Sequence, residues 1–317
     1  MNKHDKIYVA GHNGLVGSAI LRKLKSDGYD NIITKTHKEL DLIDQAAVEH
    51  FFLETKPDYV FLAAAKAGGI GANSSRPADF IYQNMMIGFN VVQSAYRHGV
   101  KKLLNLGSSC IYPKLASQPL KEESLLSGPL EPTNDAYAVA KIAVIKLCNS
   151  YNSQYGTNYI SVMPTNLYGP GDTYDIENGH VLPTMIKKFH DAKVTGTDMV
   201  LLWGDGSPRR EFLFNEDLAE ALLFLMDSKS AVEIGEFINI GTGIDLAIME
   251  LAELVKQIVY ANEPRRHCAI EWDTTKPNGT PRKLLDVSKL ASMGWQAKTT
   301  LKDGISRAYS AFLEGLV

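Results

Sequence analysis

Tyr137 and Lys141 stand four residues apart in Tyr137-Ala138-Val139-Ala140-Lys141, within a stretch whose periodicity predicts a helix, so the two side chains share one face. A bare Tyr-x-x-x-Lys is weak: with 14 tyrosines in the chain, roughly one match arises by chance. This single match gains weight from Ser108, which a predicted strand delivers to the edge where doubly wound sheets bind ligands. Together the three suit the reduction of a carbonyl. Hydride arriving at carbon builds negative charge on oxygen, and a proton must follow. A tyrosine can supply it if its pKa falls from ~10 toward neutrality. A lysine ammonium beside the phenol favours the phenolate and can reach a nicotinamide ribose, while a serine hydroxyl holds the carbonyl oxygen.

Such a site needs a hydride carrier, and the first motif of the chain supplies a place for one. Lys6–Ala10 reads as a strand, and Gly11-His12-Asn13-Gly14-Leu15-Val16-Gly17 follows it and opens an apolar-periodic helix. In that context Gly11 permits the turn, Gly14 lets backbone approach a pyrophosphate, and Gly17 allows close helix–strand packing. The helix N-terminus offers N–H groups to the phosphates. A glycine-rich turn without a ligand is the bland alternative. The end of the second strand selects the nucleotide. Where a carboxylate would hold a ribose 2′-OH, the chain has Thr34-Lys35-Thr36-His37-Lys38, which suits a 2′-phosphate and therefore NADP(H). Asp41-Leu42 is a candidate adenine-contacting pair, although Asp41 is equally a helix cap.

Around these motifs the first half alternates short apolar runs with amphipathic stretches. Strands are predicted at Lys6–Ala10, Asn31–Thr36, Tyr59–Ala65, Lys102–Gly107 and Tyr159–Pro164, with helices at Leu15–Ser26, Gln45–Glu54, Asp79–His98 and Ala136–Tyr155. That order predicts an α/β fold, a Rossmann-type doubly wound parallel sheet over residues 1–170. Residues 171–317 read mainly as a smaller substrate-binding domain, with some segments returning to the sheet.

The 317 residues carry a net charge of −3, so nothing in the bulk charge points to nucleic acid or an anionic membrane. No apolar run approaches the ~20 residues of a membrane helix, and the first residues do not form a signal peptide. Cys110, Cys148 and Cys268 lack metal-ligand spacing, so no metal site is expected. A reduced, cytoplasmic protein is the expectation.

The glycine loop, Ser108 and Tyr137-x-x-x-Lys141 together resemble the extended short-chain dehydrogenase/reductase family across essentially the whole chain. Flanking segments are similar to its GDP-4-keto-6-deoxy-D-mannose 3,5-epimerase/4-reductase branch, the GDP-L-fucose synthase family. They are Leu106 to Pro113, Pro164 to Pro170, Arg210 to Leu213, Ala63 to Ile70 and Lys276-Pro277-Asn278-Gly279-Thr280-Pro281-Arg282-Lys283. The resemblance implies an NADPH-dependent homodimer acting on a GDP-linked 4-keto sugar. It further implies cofactor contacts from Ala63, Ala65, Leu106, Pro164, Asn166, Leu167 and His180, beside the glycine loop, His37 and Lys141.

It implies as well that Cys110 and His180 are an acid/base pair for epimerisation. A 4-keto group acidifies the C3 and C5 protons, so a thiolate and an imidazolium on opposite faces can remove and return them. Two residues apart at a strand end, Ser108 and Cys110 are expected on one side. The bland readings are a buried small hydrophobe for Cys110 and a helix-start residue for His180. Ser108, Asn166, Lys188, Trp203, Arg210, Lys276 and Lys283 are the implied substrate contacts, with Arg209 a rival to Arg210. Asn13 and His37 depart from the family by standing where its members often carry arginines. The main competing reading keeps the fold and NADPH but only reduces C4, for a related sugar such as a GDP-4-keto-heptose. A 4,6-dehydratase would place acidic residues where Ser109-Cys110 stand. A 4-epimerase would hold NAD without consuming it, and a dinucleotide sensor would have no need of Tyr137.

Overall fold

The computed structural model describes residues 1–176, 179–263, 268–276 and 278–315. Twelve strands are labelled in chain order: β1 Ile7–Ala10, β2 Ile32–Ile33, β3 Tyr59–Leu62, β4 Lys102–Leu106, β5 Tyr159–Pro164, β6 Asn166–Tyr168, β7 Met199–Trp203, β8 Arg209–Phe214, β9 Ile238–Ile240, β10 Asp245–Ala247, β11 Ala269–Asp273 and β12 Arg282–Lys283. Six form one parallel sheet in the order β2-β1-β3-β4-β5-β9. The chain changes winding direction between β1 and β3, the kind of crevice where open α/β sheets bind ligands.

The strands are short unbroken apolar runs because both faces are covered. Side chains alternate across the sheet. Ile7, Val9, Leu104, Leu106, Ile160 and Val162 pack under the helices Leu15–Ser26 and Asn215–Ser228. Tyr8, Ala10, Val60, Leu62, Leu103 and Tyr159 face the opposite layer, built from helices Gln45–Thr55, Pro77–Arg97 and Asp135–Tyr155. Register brings Ala10 beside Leu62, and Leu106 beside Val162, so the loops after these strands emerge along one edge.

The later chain returns to this sheet more than its sequence suggests. Helix Asn215–Ser228 and β9 belong to the first core, as do Leu290 and Trp295. A separate core gathers Tyr168, Phe189, Val200, Leu202, Phe212 and Leu251. There β8 pairs with β6, β10 and β12, and β7 pairs with β11. The predicted strand at Asn31–Thr36 shrinks to two residues. Glu39 accepts hydrogen bonds from the Thr36 backbone N–H (2.8 Å) and hydroxyl (2.7 Å), turning the chain before a longer strand can form.

Candidate active site

The glycine loop has the shape its motif demands. Gly11 adopts φ +82°, and a Cβ there would stand 2.7 Å from the Ala64 backbone. A Cβ on Gly17 would stand 2.1 Å from the Gly11 carbonyl oxygen. Gly14 differs: a Cβ there would meet only the Gly11 oxygen, at an ordinary 3.5 Å. Packing within the protein therefore does not require glycine at 14, whereas close approach of a phosphate does. Gly14 also caps helix Leu15–Ser26 with no side-chain hydrogen bond, and no acidic residue sits in the first turn. Those N–H groups fit a pyrophosphate.

At the ribose end, the His37 imidazole lies 3.7 Å from the Asp41 carboxylate, and the Lys35 ammonium 3.9 Å from that of Glu39. Asp41 also accepts the Ile43 N–H at 3.0 Å, and the Leu42 side chain is buried in the core. Both side chains of the candidate adenine pair are thus already engaged by the fold. Asn13 is exposed, Leu15 half-buried and Val16 buried beneath the loop. Ala63, Ala65, Pro164, Asn166 and Leu167 stand at or just beyond the carboxyl ends of β3 and β5.

Helix Asp135–Tyr155 carries Tyr137 and Lys141 to that same edge. The Lys141 ammonium is buried, donates to the Leu106 carbonyl at 2.8 Å, and lies 5.7 Å from the centre of the Tyr137 ring. Burial brings its pKa down to about 8. The Tyr137 phenol does not show the acidity expected of it. Burial pushes it up, a Cys110 thiolate would push it further, and the Ser108 hydroxyl pulls weakly the other way. With the ammonium held by a carbonyl, the protein alone leaves Tyr137 a protonated donor.

Ser108 and Cys110 do share one side of the site, but not through strand alternation. β4 ends at Leu106, and Ser109–Ile111 forms a single 3₁₀ turn capped by Ser108, whose Oγ accepts the Cys110 N–H at 3.3 Å. The Cys110 Sγ accepts hydrogen bonds from the Asn134 amide (3.4 Å) and the Lys283 ammonium (3.6 Å). Burial alone would raise this thiol. The Lys283 charge, the Ser108 hydrogen bond and the Arg210 charge outweigh it and lower the pKa. His180 precedes helix Val181–Thr195 and keeps solvent access. Protein crowding its ring and the Lys283 cation lower its pKa too.

Strand pairing sorts the basic residues. β12 runs parallel to β8 with Arg282 opposite Arg209 and Lys283 opposite Arg210. Side chains alternate in direction along a strand, so the two pairs part company. Arg209 and Arg282 both bind Asp245, at 3.1 and 2.5 Å. Arg210 and Lys283 are left to face Cys110. Arg209 is thus engaged by Asp245, while Arg210 is on the Cys110 side.

Lys276 and Lys188 stand elsewhere, at β7. The Lys276 ammonium is 5.3 Å from the centre of the Trp203 ring, which is 49% exposed, and Lys188 donates to the Leu201 carbonyl at 2.8 Å. Pro277 of the same segment lies outside the described residues. The implied substrate contacts therefore form two groups, one at the thiol and one at Trp203, rather than a single cationic pocket. Asn166 uses its amide to donate to the Glu211 carbonyl at 2.7 Å.

Two site residues escape sequence reasoning. Asn134 sits just before the catalytic helix, where a cap is the ordinary expectation, yet its amide donates to Cys110. Glu211, fully buried, accepts backbone N–H groups from Thr242 (2.6 Å), Gly243 (2.7 Å) and Leu285 (2.9 Å). It ties β8 to the turn after β9 and to the segment after β12, holding Arg210 and Lys283 in place. A carboxylate between Arg210 and Phe212 in an apolar strand was its only signal. Among the described residues, no group of His, Cys, Asp or Glu could hold a metal, and no helix is long and apolar enough to cross a membrane.

Residues 7–241 match the NAD dependent epimerase/dehydratase family, and the chain belongs to that family. Within it, the chain is 56% identical over 317 residues to a putative GDP-L-fucose synthase of Arabidopsis thaliana, covering all of this chain and 94% of that one. It is 49% identical to the GDP-L-fucose synthase of Escherichia coli K12, covering 98% and 97% respectively. Among solved structures, a GDP-mannoheptose C4 reductase from Campylobacter jejuni with NADP bound superposes with a TM-score of 0.90 at 40% identity, covering 99% of each chain.

Proposed function

We propose that this protein reduces C4 of GDP-4-keto-6-deoxy-D-mannose with NADPH and couples that step to epimerisation at C3 and C5, yielding GDP-L-fucose. One observation carries the reading: the Cys110 thiol, bound by the Lys283 ammonium and the Asn134 amide, stands beside Ser108 of the Ser108/Tyr137/Lys141 set. A reductase alone needs no such thiol.

Ser108 and Tyr137 hold the 4-keto oxygen. Cys110 and His180 work on the carbons beside it. The Cys110 thiolate takes a C–H proton, and the electron pair moves onto the oxygen, where the two hydroxyls stabilise the enolate. His180, protonated from solvent, returns a proton on the opposite face. Tyr137 then gives its proton to the C4 oxygen, and the Lys141 charge stabilises the phenolate that remains. Bound NADPH supplies the hydride to C4. Gly11 to Gly17 and the first turn of helix Leu15–Ser26 would hold its pyrophosphate, and His37 would serve its 2′-phosphate. Leu106, Pro164 and Leu167, at the ends of β4 and β5 and in β6, would line its nicotinamide end. Arg210 meets the diphosphate, while Lys188, Trp203 and Lys276 meet the nucleoside end.

The first 170 residues form the cofactor domain, and most of the remainder forms the substrate domain. A homodimer is the proposed assembly, supported by exposed Tyr82, Phe89, Tyr96, Val139 and Tyr155 on helices Pro77–Arg97 and Asp135–Tyr155. Three free cysteines support a reducing, cytoplasmic setting.

NADPH absorbance should fall when GDP-4-keto-6-deoxymannose is added; a flat trace with that sugar and with GDP-4-keto-heptoses would end the proposal. A second reading, C4 reduction of a GDP-heptose alone, is favoured by the likeness to the heptose reductase. Turnover restricted to the heptoses would select it.

A further inference from the structure

We propose that Lys283 is the positioning residue of the epimerisation step, holding Cys110 as a thiolate by direct ion pairing rather than serving as a contact for the substrate's diphosphate. The inference rests on the proposed epimerase/reductase reading and deepens it.

The geometry comes from three separate parts of the chain. The 3₁₀ turn after β4 presents Cys110, and β12 presents Lys283, with 3.6 Å between Nζ and Sγ. β12 is only two residues long, so it depends on its neighbours for placement. The Leu284 N–H donates to the Gln118 side chain at 2.9 Å, the Leu285 N–H to the buried Glu211 carboxylate at 2.9 Å, and Leu120 donates to the Leu284 carbonyl at 2.7 Å. The cation is thus fixed on the thiol by backbone anchors on both sides. Arg282, one residue earlier, points to Asp245 and takes no part.

Among the described residues, the charged and titratable groups that act on the sulfur or its cations come from several elements. Arg210 faces it from β8 and favours the thiolate. The Tyr137 phenol faces it from helix Asp135–Tyr155, neutral because burial pushes its pKa up. Glu131, which also faces Arg210, is paired with Lys114 at 3.0 Å. The acidic group of this neighbourhood is therefore compensated away from the thiol. The protein crowding the His180 ring, and after it the Lys283 charge, lower the pKa of that imidazole.

The Lys283 charge bears on both groups: it favours the Cys110 thiolate and, together with burial, disfavours the charged form of His180. In the step itself the C–H bond breaks, an S–H bond forms, and the electron pair passes to the carbonyl oxygen held by Ser108 and Tyr137. Lys283 exchanges no proton. Its charge stabilises the thiolate before transfer and nothing after.

The test is Lys283→Met and Lys283→Arg in the full-length protein, with two readouts. Thiolate ultraviolet absorbance against pH, corrected with Cys110→Ser, should show the titration moving upward in Lys283→Met and staying near wild type in Lys283→Arg. Deuterium exchange into C3 and C5 should slow about tenfold or more in Lys283→Met as a loss in kcat, with KM for the GDP-sugar little changed. NADPH binding reports that the variants fold. An unmoved titration overturns the proposal, as does a Lys283→Met defect confined to KM. Absence of exchange in the wild type, with a titration that still responds to Lys283, would count against the epimerase reading and leave the ion pair standing.

Discussion

The two halves of the site lie within a few ångströms and are tuned in opposite directions. On the sheet side, Tyr137 is raised by burial and Lys141 is spent on a backbone carbonyl, so the reducing half is protonated and quiet. On the side built by β8 and β12, Cys110 is pulled down by two cations despite its burial. Groups whose pKa values are driven apart are how one pocket assigns acid and base roles. On the proposed reading the thiol is the base and the phenol the acid. The ordering is chemically apt, because carbon protons must move while the ketone is intact, and reduction destroys the ketone that acidifies them.

That contrast can be broken at its strongest point first. Tyr137→Phe should lose at least about a hundredfold in C4 reduction. It should keep measurable C3/C5 exchange, since Ser108 still holds the oxygen. Simultaneous loss of both with cofactor binding intact would show that the halves are not separable.

A smaller effect distinguishes the basic pairs. Arg210→Ala should weaken GDP-sugar use by roughly one to two orders of magnitude in kcat/KM, on the scale of one lost charge-assisted contact. Arg209→Ala should leave turnover alone and cost roughly 1–3 kcal/mol of stability, because it removes one of the two arginines on the buried Asp245 carboxylate while Arg282 remains. Equal kinetic defects would refute the sorting by strand register.

The pH dependence should differ in sign between the halves. A lysine is charged below its pKa, so single-turnover hydride transfer should decline as pH rises through about 8, where Lys141 loses its proton. Thiolate-driven exchange should instead rise from acid pH as Cys110 ionises. Parallel profiles would contradict the contrast.

The smallest expected effect is on stability. Asp172 is 5% exposed, its Oδ2 lacks a partner, and burial raises its pKa to about 7. A raised carboxyl favours the folded state while protonated, so its contribution is complete below about pH 4 and fades as pH rises through 7. Asp172→Asn should flatten the change in melting temperature across that window; an unchanged slope would mean that the carboxyl is better solvated than its burial implies.

What the sequence disclosed followed the distance over which each feature is specified. The glycine loop and Tyr137/Lys141 depend on spacings of three and four residues, and in the structure the loop joins β1 to its helix while Tyr137 and Lys141 share helix Asp135–Tyr155. Five of the six parallel strands are legible in the sequence and β9 is not, because Ile238-Asn239-Ile240 is too short a run to read and becomes a strand by pairing with β5. Cys110 was paired with Ser108 for the wrong reason, strand alternation instead of a capped turn. The partner that tunes it lies 173 residues away, and no local pattern relates the two. Only the register of β12 on β8 does so, and that register depends on a buried glutamate whose three backbone partners come from distant loops.

The most direct measurement is to run the wild-type reaction in deuterium oxide with NADPH and GDP-4-keto-6-deoxymannose and to locate label in the product by NMR. Deuterium at both C3 and C5 of a C4-reduced sugar, lost at those carbons in Cys110→Ser, is the predicted result. A reduced product with protium at both positions would contradict the proposal that one pocket performs both reactions.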